Sequence, residues 1–172
     1  MKKDRIIWLT RGAIIAAMYV ALTVTPPLNV ISFGMVQFRL SEALSILAFF
    51  EPAAIPGLFV GCLLANSIGT LMGTSLGMLD IVFGSLLTLL SAVFIWRIKQ
   101  PLPALTAPVV LNAFGVAALL KIVLDLPYWP SVLFVGIGQT VVVYGLGYPL
   151  LLLMLKRRIL IREDVFREKM NR

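Results

Sequence analysis

Long apolar runs, separated by proline and by short groups of charges, make up most of this chain. The stretches without Asp, Glu, Lys or Arg cover 12–38, 52–79, 81–96, 100–120 and 126–155. A helix needs about 20 predominantly apolar residues to cross the roughly 30 Å hydrocarbon core of a bilayer. The runs therefore predict membrane-spanning helices over about 6–25, 54–72, 79–97, 104–124 and 131–155.

The composition favours a membrane protein over a soluble one. Of the 172 residues, 60% are hydrophobic and 13% are charged, and the mean hydropathy is +0.99. Soluble domains carry about 25% charged residues, and a chain of this size cannot bury so much apolar surface in one small core. We therefore expect a single integral membrane domain over residues 1–172, with an all-α fold.

The basic residues predict the orientation of the helices. Lys and Arg beside membrane spans are retained in the cytoplasm, and both ends of the chain are basic, including a tail over 156–172. An even number of crossings follows, so the short apolar segment 40–51 is predicted to be a sixth, buried crossing. The result is a six-transmembrane-helix bundle with both termini cytoplasmic, in which only Arg39 and Lys121 of the 15 basic residues lie outside. The net charge of +7 is thus explained by the orientation of the chain in the membrane and does not indicate nucleic-acid binding.

The same composition excludes several kinds of chemistry. The chain has no His and one Cys, Cys62 within an apolar run, which excludes a His metal site, a zinc or iron–sulfur cluster and a disulfide. It also lacks the G-x-x-x-x-G-K-[ST] loop that binds nucleotide phosphates. We expect no metal, no cofactor in this chain and no enzymatic activity, and any ATP that drives its work must be used by partner subunits.

Small residues recur at helical spacing in two places. Ala13, Ala17 and Ala21 share one face of the first helix, where small side chains let another helix pack closely. On spacing alone, this face serves either internal packing or the docking of a partner. A second set repeats every four residues of the third helix: Gly57, Gly61, Ala65, Gly69 and Gly73. We expect this second face to pack inside the bundle, against small residues of the fourth helix.

Six polar side chains lie at membrane depth, where charged and amide groups are costly and usually mark a pathway or a site. They are Arg39, Glu42, Asn66, Asp80, Asn112 and Gln139. The topology places all but Asn112 in the outer half of the membrane, which predicts an outward-facing polar pocket. Carboxylates and amides suit a planar solute with several N–H donors.

Two carboxylates in one cavity also suit protons or cations. A proton- or cation-coupled carrier of small solutes is therefore an alternative function.

Three blocks of sequence resemble a known transporter family. They are VQFRLSEAL at 36–44, AIPGLFVGCLLAN at 54–66 and LDIVFGSLLT at 79–88. With these blocks, the chain is similar along essentially its whole length to the QueT family, the queuosine-precursor substrate-binding (S) components of energy-coupling factor (ECF) transporters.

The resemblance implies a six-helix subunit of the bacterial cell membrane that captures a 7-deazaguanine, such as 7-aminomethyl-7-deazaguanine, from outside. The implied partners are a transmembrane coupling (T) protein and two ATPase subunits, docked through an A-x-x-x-A face at Ala13 and Ala17, and delivery inward follows from toppling of the subunit. The guanine-like edge would suit Glu42 or Asp80, and the aminomethyl cation the other. An S component for another vitamin or for a purine- or pterin-like solute is the nearest alternative.

Overall fold

The computed structural model describes residues 2–33 and 36–157, and within these ranges every regular element is a helix. Residues 158–172, which make up most of the predicted tail over 156–172, lie outside the described residues. The elements are α1 (Lys2–Val24), α2 (Leu28–Ser32), a 3-10 helix (Leu40–Phe49), α3 (Ala54–Leu71), a first π turn (Asp80–Gly84) continuing into α4 (Ser85–Arg97), α5 (Pro101–Ala104), α6 (Thr106–Leu124), α7 (Tyr128–Val142), and a second π turn (Val143–Gly147) continuing into α8 (Tyr148–Arg157).

Five helical segments of this fold are long and apolar enough to cross a membrane. They are Lys3–Val24, Ala54–Leu71, Asp80–Arg97, Pro101–Leu124 and Tyr128–Lys156. Large apolar side chains such as Phe94, Leu133 and Leu153 are exposed on them. An apolar surface of this extent suits lipid rather than water. The predicted all-α class is therefore confirmed over the described residues.

The 3-10 helix lies at the centre of the bundle. Nine of its ten residues are buried, and it packs against α1, α3, α4, α7, α8 and the second π turn. A 3-10 helix rises about 2.0 Å per residue, and runs beyond three or four residues are uncommon. This segment therefore extends about 20 Å through the interior. It carries Arg39 at its N-cap and Glu42 in its first turn.

The last membrane segment contains a π turn where the sequence predicted one continuous helix over 131–155. Pro149 lies two residues beyond this turn. Proline has no backbone N–H to donate, and its ring crowds the carbonyl one turn earlier. A locally widened turn relieves this crowding, so Pro149 accounts for the division of the segment into α7 and α8.

Gly57 and Gly61 of the glycine face of α3 pack against α1, whereas the sequence pointed to small residues of α4. A Cβ on Gly57 would lie 2.7 Å from the carbonyl oxygen of Gly12, and one on Gly61 would lie 2.7 Å from the Cβ of Tyr19. The two backbones meet this closely because α1 also brings small residues to the crossing, Gly12 and Ala16. Gly73 is not part of the face, since α3 ends at Leu71.

A buried carboxylate joins α1 to the start of α3. Glu51 is 3% exposed, and its Oε2 is paired with Arg11 of α1. Its Oε1 accepts a hydrogen bond of 3.2 Å from the N–H of Ala53, which precedes α3. Removal of one partner from a buried ion pair leaves the other charge without compensation. The pair therefore fixes α1 at Arg11 against the start of α3.

Glu51→Ala should lower the free energy of unfolding by about 3 kcal/mol, since breaking a buried pair costs about 3–5 kcal/mol and Arg11 retains some access to solvent. Titration of the detergent-solubilised chain with sodium dodecyl sulfate measures the change. The control is Lys121→Ala, which removes an exposed pair with Asp125. In that pair, the Lys121 hydrogen bond lowers the pKa of the Asp125 carboxyl. Equal losses in the two variants would contradict the structural role of Glu51.

Candidate functional site

The six polar residues predicted from the sequence are all buried. None exposes more than 5% of its surface. They come from five elements of the bundle: the 3-10 helix with its N-cap residue supplies two of them, and the others come from α3, the first π turn, α6 and α7. They are Arg39, Glu42, Asn66, Asp80, Asn112 and Gln139.

The first group forms around Asp80 at the start of the first π turn. Its Oδ2 lies 3.9 Å from Arg39 Nη2 and accepts a hydrogen bond of 2.8 Å from the Ser75 hydroxyl. Asn66 Nδ2 donates to the backbone oxygen of Asp80 at 2.9 Å. The Phe33 ring lies over the guanidinium of Arg39, 5.0 Å from ring centroid to Cζ. Arg39 is therefore paired across the bundle with Asp80.

Glycine at position 84 makes room for this group. A Cβ on Gly84 would lie 2.6 Å from Asp80 Oδ1 and 3.0 Å from Asn66 Nδ2. Real Cβ atoms essentially never approach a neighbour within 3.0 Å. Any larger residue would therefore displace one of the two polar side chains. The glycine in the block at 79–88 thus has a steric role in the site.

The second group forms around Glu42. The hydroxyl of Tyr19 donates to Glu42 Oε1 at 2.5 Å, and Asn112 and Thr88 lie beside the same carboxylate. Glu42 is 1% exposed. Arg39 interacts electrostatically with both Glu42 and Asp80, which links the two groups. The structure therefore brings five of the six predicted residues into one polar cluster.

Gln139 is buried but stands apart from these hydrogen bonds. Its Oε1 has no hydrogen-bond partner among the described residues. The preceding residue, Gly138, lies so close to the backbone carbonyl of Val36 that a Cβ there would overlap it. At Gly138, next to Gln139, α7 is thus held against the segment that leads into Arg39.

Four residues of the cluster were not predicted from the sequence: Tyr19, Cys62, Ser75 and Thr88. The Cys62 sulfur accepts contacts from Thr88 Oγ1 at 3.3 Å, Asn66 Nδ2 at 3.5 Å and Arg39 Nη1 at 3.9 Å. One signal was present in the sequence, because Cys62 lies one turn before Asn66 and so shares its face of α3. Tyr19 gave none, since a tyrosine in a membrane helix is not costly enough to stand out.

Several polar atoms of the site are buried and without a hydrogen-bond partner among the described residues. They are Arg39 Nε and Nη2, Glu42 Oε2, Asn66 Oδ1 and Gln139 Oε1. Each such atom costs about 1–3 kcal/mol, so a concentration of them needs an explanation. The set contains both donors and acceptors, which suits a polar ligand that has both.

The alanine face of α1 lies on the outside of the bundle. Ala13, Ala17 and Ala21 are exposed, whereas Ile15 and Tyr19 on the same helix are buried. Ala13 also lines a groove of about 220 Å³ between α1 and α3. Lipid-facing positions usually carry bulky apolar residues, and small residues allow close approach of another helix. This face is therefore accessible for helix packing.

Comparison with known proteins gives one family and one curated relative. Residues 9–156 match the family described as QueT transporter. Over 89 residues, the chain is 40% identical to the queuosine precursor transporter QueT of Lactococcus lactis subsp. cremoris (strain MG1363). This match covers 52% of the chain and 49% of the relative, so the chain spans about half the length of the curated protein that it matches. No solved structure matches the chain.

Proposed function

Because this chain belongs to the QueT transporter family, we propose that it captures a queuosine precursor and delivers it across the cell membrane. Its family and its curated relative are transporters and not enzymes, and the predicted membership of the QueT family is thereby confirmed. The observation that carries the proposal is the buried cluster of Arg39, Glu42 and Asp80 with its unpartnered donors and acceptors.

The charge of the cluster favours a cationic ligand. With all three groups ionised, Arg39 compensates only one of the two carboxylates, and an uncompensated charge is costly in a buried site. The ligand that we propose, 7-aminomethyl-7-deazaguanine, carries one ammonium group and so completes the neutralisation. Its guanine-like edge supplies parallel N–H donors for a carboxylate, and its carbonyl oxygen accepts from an N–H of Arg39.

The proposed topology has six crossings, with both termini cytoplasmic and the site in the outer half of the membrane. The five long helices and the 3-10 helix between Arg39 and Phe50 supply the crossings. The extended rise of the 3-10 helix supports its assignment as the sixth, because ten residues then cover about 20 Å of the roughly 30 Å hydrocarbon core. The positions of the basic residues support the orientation.

The proposed mechanism is that of an ECF S component. The alanine face at Ala13, Ala17 and Ala21 docks on a transmembrane T protein, and two ATPase subunits supply the energy, so this chain needs no cofactor of its own. Toppling of the docked subunit then carries the ligand site from the outer to the inner side. Exposure of all three alanines supports the docking step, because a face buried within the bundle would not be available.

A ligand panel tests the substrate assignment. Calorimetry on the detergent-purified chain should give tight binding of 7-aminomethyl-7-deazaguanine without nucleotide, and binding of guanine at least about tenfold weaker, because guanine lacks the charge-assisted hydrogen bond of the ammonium group. Tight binding of a different vitamin would assign another solute. Binding of protons or cations alone would favour a coupled carrier.

A further inference from the structure

Tyr19 is a buried part of the site that belongs to none of the predicted sets. It is fully buried in α1, and its hydroxyl donates to Glu42 Oε1 at 2.5 Å. Hydrogen bonds to charged acceptors are the stronger ones in proteins. Through this bond, a side chain from α1 sets the position of a carboxylate on the 3-10 helix.

The surroundings of Tyr19 fix its ring. Gly61 of α3 approaches it so closely that a Cβ there would lie 2.7 Å from Tyr19 Cβ. One turn later in α1, Thr23 Oγ1 is hydrogen-bonded to Ser41 Oγ at 2.7 Å and donates to the carbonyl oxygen of Tyr19 at 2.8 Å. Two successive turns of α1 are therefore bonded to the neighbouring residues Ser41 and Glu42, and the phenol has little freedom to move.

The bond to Tyr19 leaves the two oxygens of Glu42 in different states. Oε1 is engaged by the phenol, whereas Oε2 is buried without a partner among the described residues. At the other carboxylate, Oδ2 of Asp80 is engaged by Ser75 and lies near Arg39. Glu42 Oε2 is thus a buried carboxylate oxygen of the cluster with an acceptor position still open among the described residues.

We propose that Tyr19 is a positioning residue, which holds the Glu42 carboxylate so that Oε2 accepts an N–H of the ligand. The proposal rests on the proposed function for the identity of the ligand. It goes further in assigning the ligand contact to one oxygen of Glu42 and the orientation of that oxygen to α1.

The test is a double-mutant cycle on Tyr19→Phe and Glu42→Gln, with 7-aminomethyl-7-deazaguanine titrated by calorimetry. Tyr19→Phe keeps the ring and should weaken binding about tenfold, because it removes one hydrogen bond to a charged group. In the Glu42→Gln background, the same change should cost no more than about threefold, because the acceptor is then neutral. Tyr144→Phe is the matched control, since that hydroxyl donates to the carbonyl oxygen of Leu102 away from the site, and it should leave affinity unchanged.

An unchanged affinity in Tyr19→Phe overturns the proposal, as do equal losses in the two backgrounds, because a side chain that only packs would act independently of Glu42. If the unmodified chain binds no ligand of the panel, the proposed function fails by itself. In that case, the free energies of unfolding of the ligand-free variants are used in the double-mutant cycle instead. Coupling between positions 19 and 42 would support the positioning contact, and additive losses would overturn it.

Discussion

Glu42→Gln should weaken the binding of 7-aminomethyl-7-deazaguanine by about 100-fold. Loss of a charged partner in a desolvated site costs about 2–5 kcal/mol, and each 1.4 kcal/mol is about a factor of ten in affinity. Glutamine has nearly the same shape and keeps an acceptor for the Tyr19 hydroxyl, so the change removes mainly the charge. Calorimetric titration of the purified variant measures the loss.

Two further substitutions make the result for Glu42 specific. Asp80→Asn should also weaken binding, because Asp80 is the partner of Arg39 and the second carboxylate of the cluster. Asp125→Asn changes a carboxylate whose side chain is 89% exposed, so it should leave affinity as it is. Retention of nearly full affinity by both Glu42→Gln and Asp80→Asn would place the ligand elsewhere in the bundle.

Ala17→Trp should abolish uptake while leaving ligand binding intact. An indole on the exposed alanine face keeps another helix from the close approach that small residues allow. The assay co-expresses the tagged chain with the proposed T protein and ATPases, and measures both their co-purification and the uptake of labelled precursor. Both should fall to the background of a strain without the chain, whereas affinity for the precursor should match that of the unmodified protein.

Val110→Trp is the matched control for the docking face. Val110 is 50% exposed on α6, so tryptophan there adds the same bulk to a different side of the bundle. It should retain both co-purification and uptake. If Ala17→Trp behaves like Val110→Trp, the alanine face does not dock a partner.

Most residues of the candidate site could be predicted from the sequence, because placing their charged or amide side chains in a membrane costs free energy. Arg39, Glu42 and Asp80 stand out against uncharged runs, and each is buried in the structure. The pairing of Arg39 with Asp80 could not be predicted, because the two residues lie on elements that are far apart in the sequence. Tyr19 and Thr88 were missed for the opposite reason, since phenols and hydroxyls are tolerated in membrane helices and give no signal until their neighbours are known.

The fold was predictable to the same extent and for a similar reason. The bilayer imposes length and hydropathy on each crossing, so the five long helices follow from the apolar runs. The 3-10 form of Leu40–Phe49 does not, because a segment buried on nearly every side has no polar face to reveal its period. The packing of Gly57 and Gly61 on α1 also required the structure, since the sequence pointed to small residues of α4 as their partners.

One consequence of the two faces of α1 is thermodynamic. Tyr19, bonded to Glu42, lies only two residues from Ala17 and Ala21, which face outward from the same rigid helix. A shift of α1 relative to the 3-10 helix, following contact on the alanine side, would alter the bond between Tyr19 and Glu42. Thermodynamic linkage between two binding sites is reciprocal. A partner that lowers the affinity of the chain for the ligand by some factor must therefore bind the ligand-loaded chain more weakly, by that same factor, than the ligand-free chain.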